Sequence, residues 1–242
     1  MRKSSVDLFR RYLSAQSLPA AEQPRIPKPA ITISRQTGAG AVTVAHLVAR
    51  QLDLDCQGDP PCPWVVFDRD LVSKILEDHN LSREIEEFMQ EDTKFPLTDA
   101  LEALLGLHPL SWTLKEYAKE TIRKLAVNGN VILVGRGAAV ITTLFRHILH
   151  VRLVAPFYIR VRNFAEFHHI TAAKATRLVR ETDEARSRYV QSYFGADVDD
   201  PLHYHLVINT ERNSFQETAQ IISNALMNRI LRGAQKQQEV YA

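Results

Sequence analysis

Ala30-Ile31-Thr32-Ile33-Ser34 is the first sustained apolar run of the chain, and Arg35-Gln36-Thr37-Gly38-Ala39-Gly40-Ala41-Val42-Thr43 follows it directly. The β-branched content of the first five residues is that of a buried strand. Beyond the second segment, Val44, Leu47, Val48 and Leu52 recur at helical spacing. Gly38 and Gly40 let the chain turn tightly between strand and helix and aim its N–H groups inward. The partial positive charge of the helix N-terminus adds to them, and together they make an anion cradle. A full phosphate loop reads G-x-x-x-x-G-K-[ST]. Gly40 supplies the closing glycine, but Arg35 stands at the first position and Ala41 at the lysine, and the Thr43 hydroxyl comes one residue late. The strict pattern fails, while its place after the first strand favours a phosphate site. A tight strand–helix turn without a ligand is the alternative.

Working outward, four more apolar runs read as strands: Trp64–Phe67, Val131–Val134, Leu149–Val154 and His205–Ile208. They lack strict alternation, as parallel strands covered on both faces do. Helical patterns fall at Leu71–Leu76, Ser82–Gln90, Asp99–Leu105, Leu114–Val127, Ala138–Phe145, Phe157–His168, Ala172–Tyr189 and Ser214–Leu231. Ser214-x-x-Glu217 opens the last as a capping box. Strands alternating with helices give an α/β doubly wound parallel sheet. The gaps between strands two and three and between strands four and five are far longer than a plain crossover needs, so each holds a helical cover over one edge of the sheet.

The chain has 242 residues, 45% hydrophobic and 24% charged, enough to bury a core without disulfides or a structural metal. A formal net charge of +2 argues against a protein built to coat nucleic acid, and no apolar run reaches the length of a membrane span. Cys56 and Cys62 are spaced too widely for a redox pair and read as reduced bystanders of a cytosolic protein. Residues 1–13 lack the apolar core of a secretory signal. Val6, Leu8, Phe9, Tyr12 and Leu13 are spaced for one short amphipathic turn-pair docking on the body or on a partner, but a frayed leader is the expectation. The prolines at 19, 24, 27 and 29 mark residues 14–29 as a linker.

Three further groups carry chemistry. Gly135-Arg136-Gly137 follows the third strand; Val140 stands where a dinucleotide turn needs its third glycine, so Arg136 reads instead as a phosphate contact at the carboxyl edge of the sheet. Asp68, ending the second strand, is a candidate for a sugar hydroxyl, a base amino group or a magnesium water, with Asp70 as a helix cap. Arg160, Arg162, Arg177, Arg180, Arg186 and Arg188 lie in the second long gap among Glu181, Asp183 and Glu184. Arginines on a mobile cover can neutralise phosphoryl oxygens, though most are expected to be solvated helix-face residues paired as Glu184–Arg188 is. His168, His169, His203 and His205 have no cysteine or carboxylate pair placed to complete a zinc site. No nucleophile elbow is present.

These segments in this order resemble the cytidylate-kinase-like P-loop proteins: Ile31–Gly40, Val66–Val72, Val131–Ala138, His150–Pro156, Arg180–Arg186, Tyr193–Gly195 and Tyr204–Thr210. The resemblance implies a P-loop nucleoside-monophosphate-kinase fold, five parallel strands in the order 2-3-1-4-5. It divides the chain into an extension and linker (1–29) and a kinase-like domain (30–232), with an acceptor-side insertion at 68–130 and a lid at 156–203. It places ATP phosphates on Gly38, Ala39, Gly40, Ala41, Val42 and Thr43, Mg2+ on Thr43, and the acceptor on Asp68 and Arg136. Arg180, Arg186 and Arg188 become lid residues, and Arg35 the candidate to replace the missing lysine. Cytidylate kinases have G-R-D where Gly135-Arg136-Gly137 stands here. The implied reaction is ATP-dependent transfer to a cytidylate-like monophosphate (CMP or dCMP) in the cytoplasm. The partners are small nucleotides, without nucleic acid or membrane. A nucleotide-binding regulatory module without transfer, and a kinase of a non-nucleotide small molecule, are the alternatives.

Overall fold

The computed structural model describes residues 5–16, 28–55, 63–68, 112–135 and 137–241. Within them the order is α1 (Ser5–Gln16), β1 (Ala30–Arg35), α2 (Ala41–Asp55), β2 (Val65–Phe67), α3 (Trp112–Asn128), β3 (Val131–Val134), α4 (Ala138–Ile141), β4 (Ile148–Val154), α5 (Phe157–His168), α6 (Ala172–Phe194), a 3-10 turn (Pro201–His203), β5 (Leu206–Asn209) and α7 (Phe215–Tyr241). The strands form one sheet in the order β2-β3-β1-β4-β5, and every pairing is parallel. The three helices expected between residues 71 and 105 and the cysteines at 56 and 62 lie outside the described residues.

Successive side chains of each strand point to opposite faces, and both faces are apolar because both are covered. On one face Ile31, Ile33, Ile132, Val66, Leu149 and Leu153 meet Val44, Val48 and Leu52 of α2 and Ala219, Ile222 and Leu226 of α7. On the other, Ala30, Val65, Phe67, Val131, Leu133 and Ile148 meet α3 through Ile122, Leu125 and Ala126. That second layer also contains α1: Phe9, Tyr12 and Leu13 are buried in it, Phe9 lies against Phe67, and the Tyr12 hydroxyl donates to the Gly129 carbonyl at 2.9 Å. The frayed leader expected for these residues is therefore a docked helix. Its apolar stripe finds sheet surface near the β2 edge that α3 leaves uncovered.

Three helix ends differ from the periodicity; the last helix, expected to end at Leu231, runs on to Tyr241. The spacing from Ala138 predicts a helix to Phe145, but α4 stops at Ile141. There both the N–H and the hydroxyl of Thr142 bond to the Ala138 carbonyl, and a string of single turns then leads into β4. Conversely α6 continues past Tyr189 to Phe194, where Gly195 closes it at φ 64°. The capping box is formed as expected: the Glu217 N–H donates to Ser214 Oγ and the Ser214 N–H to the Glu217 carboxylate. Helices α5 and α6 make an antiparallel pair with a small core of their own, Val161, Ala175 and Val179 against Phe157, Phe164 and Ile170.

Candidate functional site

β1 and β3 end side by side, and the chain turns at both ends through positive-φ glycines: Gly38 and Gly40 after β1, Gly135 and Gly137 after β3. Above these ends lies a cavity of about 390 Å³. Its floor is Ser34, Arg35, Gln36, Val134, Gly135 and Gly137. Asp183, Arg186 and Tyr189 of α6 close one side, and Arg152, Asp199 and Tyr204 another.

The loop after β1 is held from several directions. Gln36 N–H donates to the Leu153 carbonyl, and its side-chain oxygen accepts from Ala155 N–H. Helix α5 lies directly on Gly38: a Cβ there would stand 2.2 Å from the Arg160 carbonyl oxygen. Arg160 donates to the Ala155 and Thr37 carbonyls, and Asn163 to the Gly38 carbonyl. From α6, one Asp183 oxygen accepts both the N–H and the hydroxyl of Thr37, at 2.7 and 2.6 Å, while the other receives Arg160 at 2.5 Å. Arg186 donates to the Thr37 hydroxyl at 2.7 Å. Thr37 is only 4% exposed.

The opposite wall is a second polar chain. Arg152 is in register with Ser34 on the neighbouring strand, donates to its hydroxyl at 2.8 Å and pairs with Asp199. Tyr204 has one proton, and the Val198 carbonyl at 2.8 Å can only accept. Ser34, 3.1 Å from the same phenol oxygen, must therefore donate to it. The network runs Arg152 to Ser34 to Tyr204 to Val198, and it ties the segment after α6 to the end of the sheet.

Of the expected site residues that are described, Arg35 and Arg186 line this cavity, whereas Gly38 to Thr43 and Asp68 lie outside its walls. Gly38 and Gly40 turn the loop at φ +83° and +78°, Ala39 and Ala41 are buried beneath it, and Val42 and Thr43 are exposed on the first turn of α2. Arg35 leaves β1 toward β3, its guanidinium so close to Gly135 that a Cβ there would lie 1.7 Å from Nη1. The guanidinia that bond to Thr37 of the loop are those of Arg160 and Arg186. Asp68 is buried at the end of β2, and Arg136 lies outside the described residues. Arg180 stacks over Phe157 at 5.1 Å, and Arg188 pairs with Glu184 on an exposed face, so neither lines the cavity. Sequence reasoning overlooked Thr37, Asp183 as a contact of the loop, and the Ser34–Arg152–Tyr204–Asp199 chain. Thr37 stands inside the quoted loop; the others come together only through strand register and the return of α6.

Among the described residues no cluster of three or more histidine, cysteine or carboxylate side chains could hold a metal. His203 lies 4.0 Å from Asp200, and His205 stacks on His150. No described helix is long and apolar enough to cross a membrane.

A five-stranded all-parallel sheet in this order, covered by helices on both faces and with a glycine loop after its first strand, defines an α/β doubly wound protein. Within that class the chain belongs to the cytidylate kinase-like family, whose sequence model matches residues 30–212. It is 34% identical over 97 residues to a cytidylate kinase of Staphylothermus marinus, covering 40% of this chain and 54% of that one. With a cytidylate kinase of Thermoplasma acidophilum it shares 30% identity over 112 residues, 46% of this chain and 60% of that one. The chain thus spans little more than half the length of these curated relatives. The crystal structure of an uncharacterized protein from Eubacterium ventriosum superposes with a TM-score of 0.60 at 17% identity, over 83% of this chain and 99% of that one. That likeness is one of fold.

Proposed function

We propose that this protein transfers the γ-phosphoryl group of ATP to a nucleoside monophosphate of the cytidylate type. The observation that carries the reading is the convergence, on one cavity at the carboxyl ends of β1 and β3, of the glycine loop's Gln36 with Arg35 and Arg186. Ligands of open α/β sheets bind at this edge, and a guanidinium pair there matches the charge of phosphoryl oxygens. Mg2+ would be held mostly by phosphate oxygens and water, with the exposed Thr43 hydroxyl on the first turn of α2 as the protein's hard oxygen donor. When bound, the metal would neutralise β- and γ-oxygens. Arg35 and Arg186 orient the reacting groups and stabilise charge during transfer, and Arg136 holds the acceptor phosphate.

An ADP-release assay with ATP–Mg against CMP, dCMP, UMP, AMP and non-nucleotide acceptors tests this. Turnover led by CMP or dCMP is the expected result; ATP binding without ADP release from any acceptor overturns it. The second reading, a nucleotide-binding module without transfer, is favoured by the buried methyl of Ala41 where a lysine would serve catalysis.

A further inference from the structure

The surroundings of the Asp183 carboxylate are those of a bound oxyanion. It takes the Thr37 backbone N–H, the Thr37 hydroxyl and the Arg160 guanidinium, and Arg186 stands 3.7 Å away. A loop amide, a hydroxyl and two arginines are the donors a phosphoryl group uses. This carboxylate comes from the middle of α6, some 146 residues from the loop it occupies. We propose that Thr37, Arg160 and Arg186 form a phosphoryl-oxyanion site and that Asp183 is its built-in competitor, displaced when a phosphate-bearing ligand binds. The inference rests on the phosphate-transfer reading given above and assigns the lid the device that closes the loop without a ligand.

The moving part follows from the contacts. Helix α5 cannot withdraw alone, because its backbone lies on Gly38 and its Asn163 and Arg160 hold two loop carbonyls. Helix α6 meets the loop through side chains, Asp183 and Arg186, and its partly buried Thr182 and Asp183 also face the cavity. A ligand in the cavity therefore meets Asp183 and Arg186, which line it, while the buried donors of Thr37 and Arg160 become available to it as the carboxylate leaves. A dianionic phosphoryl group offers more acceptor oxygens and more charge than the carboxylate, so the exchange leaves both guanidinia paired.

The test is binding of pyrophosphate and of ATP–Mg to the full chain by calorimetry, for wild type, Asp183→Asn, Asp183→Ala and Glu184→Gln. Glu184 is the neighbouring exposed residue and pairs with Arg188, so its variant removes the same charge without touching the loop. Both Asp183 variants should bind pyrophosphate about tenfold tighter or more, the scale of one charged hydrogen bond, while Glu184→Gln stays within about twofold. The asparagine variant keeps the side-chain shape, which guards against loss of fold in the alanine variant. Equal or weaker binding in folded Asp183 variants makes the carboxylate a positioning arm and overturns the inference, with the phosphate reading intact if wild type binds ATP. An equal gain in Glu184→Gln also overturns it, as a general charge effect. If no folded variant binds either anion, the phosphate reading falls together with the inference.

Discussion

A methyl group at Gly38 would have to share space with the Arg160 carbonyl oxygen, on a backbone held at φ +83°. The left-handed conformation alone costs an alanine about 1–2 kcal/mol, and the backbone oxygen cannot rotate aside as a side chain would. Gly38→Ala should therefore separate the loop from α5, lowering Tm by about 2–4 °C per kcal/mol lost and weakening ATP binding; unchanged melting and binding would refute the close approach. Gly137 poses the same question for specificity. The family resemblance expects an acidic side chain there, yet φ is +69° and a Cβ would lie 2.4 Å from the Phe194 ring. Gly137→Asp should destabilise by about 1–3 kcal/mol and confer no gain in CMP turnover, a result read from urea melts and the ADP assay. Arg35→Ala, which empties the space over Gly135, should lower kcat with the fold intact. A variant that turns over normally would transfer its role to Arg186.

Among the elements, α1 has the most to lose from a single change. Phe9 is 1% exposed and in ring contact with Phe67 at the β2 edge. Phe9→Ala should cost about 3–5 kcal/mol, far beyond the few tenths expected of a solvated leader, and chemical denaturation distinguishes the two. The family match begins at residue 30, so α1 is covered by no part of that comparison although it completes one core layer. Its legibility was limited for the same physical reason: a short amphipathic stripe reads alike whether it frays or docks, since only the facing sheet decides. The strands, by contrast, could be read to within a residue, because β-branched runs bounded by turn residues leave little choice. The helix cap at Ser214 and the Glu184–Arg188 pair were equally local and equally visible. The cavity was legible only in part. Arg35 and Gln36 lie where β1 runs into its loop, whereas Arg152 reaches Ser34 through the β1–β4 register, a long-range fact without a local signal.

At the scale of the whole molecule, one buried pair makes stability depend on pH. His150 sits on the covered face of β4, beside Thr32 of β1 at 2.8 Å, with the His205 ring stacked 5.1 Å away. Burial, then the charges of His205 and Arg229, pushes its pKa down to about 4; the Thr142 backbone favours the proton but does not offset them. His205 is pushed down as well, by burial and then Arg229. In the unfolded chain both return to about 6.5. Between those values the unfolded state binds more protons than the folded one, so stability is complete above about pH 6.5 and falls as pH drops toward 4. For His150 alone the loss amounts to about 3 kcal/mol, and His205 adds to it with the same sign. Carboxylates titrate in the lower part of this window, so the difference between wild type and His150→Leu is the informative quantity. The leucine variant starts lower at pH 7.5, by about 1–3 kcal/mol for the unpaired Thr32 hydroxyl, and should lose less on acidification. The two stability curves then converge near pH 4.5. Parallel curves from pH 7.5 to 4.5 in urea melts would mean that the His150 proton is not what acid unfolding must supply.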